Sequence, residues 1–270
     1  MATIFTLATW NILATAYIRR DYYPGTPQEV LDARRRIPRL VESAVALDVD
    51  ILCLQEVEAD VFAALDERLS TAGYAGRLAM KAYRRPDGCA TFFRRAACEL
   101  LGHQRYQFAD ATPGSKNSGH VAQFLELRIG KLHLQLANTH LKWDPPGVPD
   151  ESQWSYRQVQ QIITALNEFD AQTFQIVCGD FNVTEAATAI RLLNAAGFRA
   201  THRAGPETYT CNSNGEPKLI DHILYRGRAE VLPAPLPHID AATALPSPDQ
   251  PSDHLPLVAR FTVGEFISGS

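Results

Sequence analysis

Six times along this chain a short apolar run closes on a polar cluster. The clusters are Trp10-Asn11, Gln55-Glu56, Asp87-Gly88, Asn138-Thr139-His140, Gly179-Asp180-Phe181-Asn182 and Ser252-Asp253-His254. A seventh pair, Asp221-His222, stands inside a late apolar run. The runs are rich in β-branched and aromatic residues, which suits strands. Between them lie segments with helical spacing. Short strands interleaved with amphipathic helices bury their apolar faces only by stacking in layers, which points to an α/β architecture. Polar groups repeated at strand ends are where sheet proteins carry chemistry.

The spacing predicts strands at 3–10, 49–54, 89–94, 121–129, 132–138, 173–178, 218–225 and 255–263, with a tight hairpin at Gly130-Lys131. Helices are expected at 59–72, at 153–169 and at 185–196, the last closed by Gly197. Thr26-Pro27-Gln28-Glu29 reads as a capping box with proline in the first turn. The helix behind it is expected to restart or kink at Pro38. Two proline-rich loops, 142–152 and 233–251, interrupt the pattern. Strand signals resume on both sides of each, so neither reads as a linker, and residues 1–270 are expected to form one domain. The many hairpin-like connections favour sheets with antiparallel pairs over a purely parallel wind.

A chain of 270 residues needs no metal or disulfide to hold its core. Its 26 basic and 30 acidic residues give a net charge of −4, which excludes a strongly basic nucleic-acid coat. It leaves room for an acidic metal site acting on phosphate. The five cysteines are scattered, with no CxxC pair, against a disulfide framework or structural zinc and in keeping with a reducing cytoplasm. No apolar run is long enough to span a membrane, and the N-terminus lacks the basic region of a signal peptide. The inventory holds no GxSxG elbow, no Walker loop and no GxGxxG.

Asn11 and Glu56 offer hard oxygens suited to magnesium or manganese, or else serve as caps and turn residues. Asp180 and Asn182 flank Phe181, so strand alternation points both the same way. A carboxylate beside an amide can orient and deprotonate a water; the alternative is an Asx-turn opening the next helix. His140 and His254 read either as core histidines or as site groups. Alternation turns Asp253 away from its neighbour His254 and leaves it free to be a metal ligand. A distant carboxylate such as Asp221 must then orient His254. By the same rule His222 faces away from Asp221 and is structural. Cys178 reads as a buried apolar cysteine.

The strings TWNIL, CLQEVE, DGCATFFR, NTHLKWDP, CGDFN, LIDHILY and PSDHLPLVARF, in that order from residue 9 to residue 261, resemble the endonuclease/exonuclease/phosphatase superfamily. The resemblance implies a four-layer α/β sandwich, two packed mixed β-sheets flanked by helices. It also implies a divalent-metal hydrolase of phosphate esters. DGCATFF, NTHLKWDP and PSDHLPL are most similar to the branch of deadenylases, nocturnin and Angel proteins. On this resemblance Glu56 is the principal Mg2+ (or Mn2+) ligand with Asn11 beside it, and Asp253 supports the metal. Asp180 activates the water, and Asn182 holds the phosphate or water. His254 meets the phosphate, oriented by Asp221; His140 contacts the phosphate, with Asp87 as its carboxylate partner.

One departure bears on substrate. The branch carries an adenine-stacking aromatic five positions before the residue matching Asp221, and this chain has Glu216 there. Trp143, Pro145 and Tyr209 are the candidates to hold a base instead, with His120 and Asn117 as polar substrate contacts. Lys81, Arg84, Arg85, Lys116 and Lys142 lie near the motifs as phosphate contacts or as solvated charges. The expected activity is a 3′–5′ exonuclease on single-stranded RNA or DNA, in the cytoplasm, with no protein-docking module. The alternatives are hydrolysis of a small substrate (a nucleotide 2′-phosphate, a 2′,3′-cyclic end, an inositol phosphate) and a dead binding module. The proline-rich loop before His254 is expected to wall the site.

Overall fold

The computed structural model describes residues 2–112, 114–169, 173–203, 205, 208–213 and 215–264. In chain order its elements are β1 (Thr3–Asn11), α1 (Gln28–Leu31), α2 (Ala33–Ala46), β2 (Ile51–Glu58), α3 (Ala59–Thr71), β3 (Tyr74–Met80), β4 (Asp87–Arg94), β5 (Glu99–Gln107), β6 (Val121–Ile129), β7 (Leu132–His140), α4 (Trp154–Leu166), β8 (Phe174–Asp180), α5 (Thr188–Ala195), β9 (Arg199–Ala200), β10 (Cys211–Ser213), β11 (Glu216–Lys218), β12 (Asp221–Arg226), β13 (Glu230–Pro233) and β14 (Leu257–Val263). They build two six-stranded sheets, ordered β13-β14-β1-β2-β4-β3 and β5-β6-β7-β8-β12-β9, and a small β10-β11 hairpin. Both sheets are mixed: β1 and β2 run parallel, as do β7 and β8, and the other pairings are antiparallel.

Strand alternation sorts the core into layers. Phe5, Leu7, Ile51, Leu134, Leu136, Phe174, Ile176, Ile223 and Phe261 meet between the sheets. On the opposite faces, Ala8, Trp10 and Leu52 pack with Leu40 and Val41 of α2 and Leu65 of α3. Val177 and Leu224 pack with Val159 and Ile162 of α4 and Ile190 of α5. The result is the helix, sheet, sheet, helix sandwich.

Each inner row changes from apolar to polar at the same end. Phe5 and Leu7 lead to Thr9 and Asn11; Leu134 and Leu136 lead to Asn138 and His140; Ile176 and Cys178 lead to Asp180. A polar layer joins the sheets there. Gln55 Nε2 donates to Thr9 Oγ1 at 2.9 Å and to Asn138 Oδ1 at 2.8 Å, and Thr91 Oγ1 donates to Gln123 Oε1 at 2.7 Å. The parallel pairs bring their C-terminal ends level, with His140 opposite Asp180 and Asn11 opposite Gln55.

Several local expectations change. Pro27 precedes α1 rather than standing in its first turn, and no side chain caps that helix. Thr26 Oγ1 instead donates to Pro246 O at 3.0 Å. The chain breaks at Asp32, which caps α2 through Arg34 N, and α2 then continues unbroken through Pro38. The edge strands β3 and β5 have no counterpart in the sequence reading. β5 is largely exposed and polar, so it lacks the apolar signature. The 233–251 loop is fastened to the body by Asn212 donating to Asp240 O and Thr243 O and by Arg39 donating to Pro248 O.

Candidate active site

Six of the seven sequence clusters contribute side chains to the shared end of the two inner faces; Asp87 joins through Lys81. Asn11 closes β1 and donates from Nδ2 to Asp180 Oδ2 at 2.9 Å and to Glu56 Oε1 at 3.2 Å. Its Oδ1 accepts from Leu13 N at 3.0 Å. Asn11 therefore presents hydrogens, not its oxygen, to the carboxylates. Asn11 thereby aligns the two carboxylates. Glu56 Oε2 accepts from Ala14 N at 2.8 Å. Burial pushes the Glu56 carboxyl up to about 7 against the opposing pull of Lys81.

Asp180 lies opposite Asp221 in the antiparallel β8–β12 ladder. Its Oδ1 accepts from Asn182 N at 2.8 Å, and burial pushes it up to about 6 although His254 pulls it down. Asp221 is fully buried and its Oδ2 lies 2.8 Å from His254 Nδ1. Burial alone lowers an imidazole; here the Asp221 carboxylate overrides burial and holds His254 well above its ordinary value. His254 Nε2 stands 3.8 Å from Asp180 Oδ2. The 252–254 turn is pinned to β1, with Ser252 Oγ donating to Asn11 O at 2.7 Å and Trp10 Nε1 donating to His254 O at 2.8 Å.

Alternation should part Asp253 from its neighbour His254, yet a carboxylate oxygen of Asp253 lies within 4.8 Å of an imidazole nitrogen of His254, because residues 252–254 form a turn rather than a regular strand. Asp253 Oδ2 accepts from Tyr23 Oη at 2.9 Å, and its buried Oδ1 has no partner. Glu56 and Asp253 supply the hard oxygens that a divalent cation takes, and the orphaned oxygen is the kind of donor such an ion satisfies.

His140 was expected to pair with Asp87, and the structure puts Lys81 between them. Lys81 Nζ lies 2.7 Å from Asp87 Oδ2 and 3.3 Å from His140 Nδ1, and Tyr17 Oη donates to Asp87 Oδ1 at 2.6 Å. A buried carboxylate takes the nearest full cation in preference to an imidazole, so the β3–β4 turn folds Lys81 inward. Burial and then Lys81 push His140 well below its ordinary value, so it is neutral. An ammonium offers only hydrogens, so Nδ1 accepts and Nε2 carries the proton. Nε2 lies 3.6 Å from Asp180 Oδ2, the acceptor it faces, and 3.0 Å from Asn182 Nδ2, which donates to Leu141 O at 2.9 Å.

The remaining candidates separate. His120 is buried beneath His140, its Nδ1 bound to His140 O at 2.9 Å, and burial pushes it down to about 2. Its ring packs edge-on against that of His140, with centroids 5.6 Å apart. Asn117 Oδ1 accepts from Ala111 N at 2.8 Å and closes its own loop. The Gly/Ser loop that carries both is tied down by Asp110, which accepts from Ser118 N at 2.7 Å. Trp143 is 55% exposed and Pro145 is also exposed. Their loop is held by Asp144, which accepts from Trp154 N and Ser155 N. Tyr209 packs on the Ile239–Leu245–Leu255 cluster. Lys81 is buried; Arg84 and Lys116 are exposed, and Arg85 and Lys142 are half-buried. His222 is buried on the helix side of its sheet against Phe181, and its Nε2 bonds Val183 O at 2.9 Å.

Sequence reasoning missed Tyr17, Tyr23 and Arg36. Arg36 is buried and donates to Ile12 O, Leu13 O and Pro251 O, tying the β1 end to the turn that carries Asp253. The aromatic-rich Tyr17–Tyr23 segment, directly behind a strand-end cluster, was the available signal.

A four-layer sandwich whose sheets converge on buried carboxylates, amides and histidines defines a metal-assisted hydrolase of the phosphoesterase type. The chain belongs to the Endonuclease/Exonuclease/phosphatase family, whose model matches residues 8–254. It is 31% identical to Protein angel of Drosophila melanogaster, over 96% of this chain and 81% of that one. It is 26% identical to the CCR4-Not complex 3′-5′-exoribonuclease subunit Ccr4 of Saccharomyces cerevisiae, over 98% of this chain but 39% of that protein. The fold matches ANGEL2, a 2′,3′-cyclic phosphatase solved with adenosine-2′,3′-vanadate, with a TM-score of 0.81, 21% identity, and 97% and 96% of the two chains covered. Among the described residues no helix is long and apolar enough to cross a membrane.

Proposed function

We propose that this protein is a Mg2+-dependent phosphodiesterase, with Mn2+ as a substitute, acting at the 3′ end of single-stranded RNA or DNA. One observation carries the reading: Asn11, Glu56, His140, Asp180, Asn182, Asp221, Asp253 and His254 converge at one end of the sandwich. Glu56 and Asp253 hold the cation, and Asn11 keeps Glu56 and Asp180 in register. When bound, the cation supplies Lewis-acid polarisation of the phosphoryl oxygens. Asp180, oriented by Asn11 and Asn182, takes the proton of the attacking water. His254, kept cationic by Asp221, meets the developing charge on the phosphate. His140 donates its Nε2–H to a second phosphate oxygen; a preorganised donor of this kind contributes ~3 kcal/mol. Residues 1–270 work as one domain, and the unpaired cysteines support a cytoplasmic setting.

A second reading has its own support. Angel and ANGEL2 relatives, with Glu216 in place of a stacking aromatic, favour a nucleotide with a 2′,3′-cyclic end or another small phosphoester. The test offers 3′- and 5′-labelled single-stranded RNA and DNA, 2′,3′-cyclic-ended RNA and small phosphomonoesters, with Mg2+, to wild type, Glu56→Gln and His254→Ala. A ladder of shortened oligomers from wild type alone supports the exonuclease. Opening of the cyclic end on an intact oligomer supports the second reading. Equal turnover by Glu56→Gln overturns the site.

A further inference from the structure

Cys211 stands apart from the other four cysteines. All five are buried, but Cys53, Cys98 and Cys178 belong to the apolar layer between the sheets. Cys211 forms a lone antiparallel bridge with His254. Flanking backbone bonds, Asn212 N to Asp253 O at 3.1 Å and Leu255 N to Thr210 O at 2.6 Å, lock the two segments together. The Cys211 sulfur, a carboxylate oxygen of Asp253 and an imidazole nitrogen of His254 all lie within 4.8 Å of one another. Asp253 is 6% exposed, and its Oδ1 has no hydrogen-bond partner.

Sulfur, imidazole and carboxylate together form a borderline-soft donor set, unlike the oxygen-only pair of Glu56 and Asp253. Three such ligands and one water complete a tetrahedral zinc centre. Divalent zinc also binds mixed N, O and S donors more tightly than magnesium does. Asp253 belongs to both sets, so the two ions compete for it. An ion on the softer set also draws on the imidazole that otherwise lies between Asp221, at 2.8 Å, and Asp180, at 3.8 Å.

We propose that Cys211, Asp253 and His254 form a second metal site, selective for a thiophilic divalent cation such as Zn2+, whose occupation shuts the hydrolase. As zinc binds, the Cys211 thiol releases its proton to solvent, and His254, cationic in the metal-free site, releases the proton of the ring nitrogen that takes the ion. The site itself stands on the geometry alone; its inhibitory effect rests on the function proposed above.

The experiment uses the full chain freed of metal and titrated with Co2+ as a spectroscopic substitute for Zn2+. A thiolate-to-cobalt charge-transfer band is expected in wild type, saturating near one equivalent and abolished by Zn2+. It is expected to vanish in Cys211→Ser and in Cys211→Ala; the alanine variant keeps the apolar packing. In Mg2+ assays each variant is referred to its own zinc-free rate. Cys211→Ser is expected to need at least about tenfold more Zn2+ for half-inhibition, since even outer partners of a metal ligand change affinity by ~10–100-fold. No thiolate band in wild type, or an equal band in both variants, overturns the site. A band with equal zinc sensitivity in wild type and Cys211→Ser overturns the inhibition. The cobalt arm needs no substrate, so failure of the functional reading leaves it decisive.

Discussion

The Lys81–Asp87 pair offers a test in which stability and turnover separate. Their side chains are 2% and 0% exposed and 2.7 Å apart. Removing one partner of a buried pair strands the other charge, at a cost of roughly 3–5 kcal/mol. Tyr17 Oη remains on Asp87 Oδ1 at 2.6 Å, so the lower part of that range applies to Lys81→Met. At roughly 2–4 °C per kcal/mol for a chain of this size, Tm should fall by roughly 6–12 °C. Lys81→Met combined with Asp87→Asn leaves no buried charge and keeps an acceptor for Tyr17, so most of the loss should return. Turnover should not return. Both variants lack the ammonium 3.3 Å from His140 Nδ1, so nothing fixes the His140 tautomer. Urea denaturation with unchanged m-values gives the first quantity, and kcat on whichever substrate wild type turns over in the Mg2+ assay gives the second. A single-variant loss under about 1 kcal/mol would refute the buried pair. Full activity in the double variant would refute the positioning of His140.

Burial pushes Glu56 up to about 7 and Asp180 up to about 6, so the metal-free fold keeps protons that the unfolded chain has already released. Its stability should decline as pH rises from about 4.5 to 7, and Mg2+ should raise Tm more at pH 8 than at pH 5.5, as thermal melts with and without the ion will check. Gly179 has φ +139°, and a Cβ there would lie 1.8 Å from Thr139 O on the neighbouring strand. Gly179→Ala should therefore cost more than about 4 kcal/mol and yield little soluble protein. Shortening the 240–248 segment should lower Tm as well as alter substrate preference, because Asn212, Thr26 and Arg39 donate to its carbonyls. An unchanged melting curve would mean that those bonds contribute nothing.

The site was legible because its residues end rows whose period is two. Leu134, Leu136, Asn138 and His140 share a face, as do Ile176, Cys178 and Asp180, and the chain registers those rows through parallel pairing. The expected Asp221–His254 contact forms at 2.8 Å, although Asp253 also stays within 4.8 Å of that imidazole. What the rows cannot show is who stands between two polar residues from different segments. Lys81 reads in the sequence as one of several loop cations, and its burial against Asp87 depends on how the β3–β4 turn folds over. Nothing local announces that Asp110 will gather the loop that carries His120 and Asn117. Edge strands such as β5 carry no apolar row at all.

Glu56 shows where alternation itself gives way. By period two it should oppose Gln55 and follow Leu54 toward the helices. Instead the β2–β4 register shifts between Leu54 and Val57, and Glu56 takes φ +58°. The bulge lets Gln55 stay in the polar layer between the sheets while its neighbour Glu56 still reaches Asn11. Asn182 uses the same left-handed backbone, at φ +55°, to return its amide to His140 after Asp180 has pointed inward. For an L-residue that conformation costs about 1–2 kcal/mol, and asparagine tolerates it far better than glutamate does. Two adjacent strand residues cannot otherwise face one site. The strain at Glu56 is held by its bonds to Ala14 N and Asn11, and these contacts fix the direction of the carboxylate that we propose as a cation ligand.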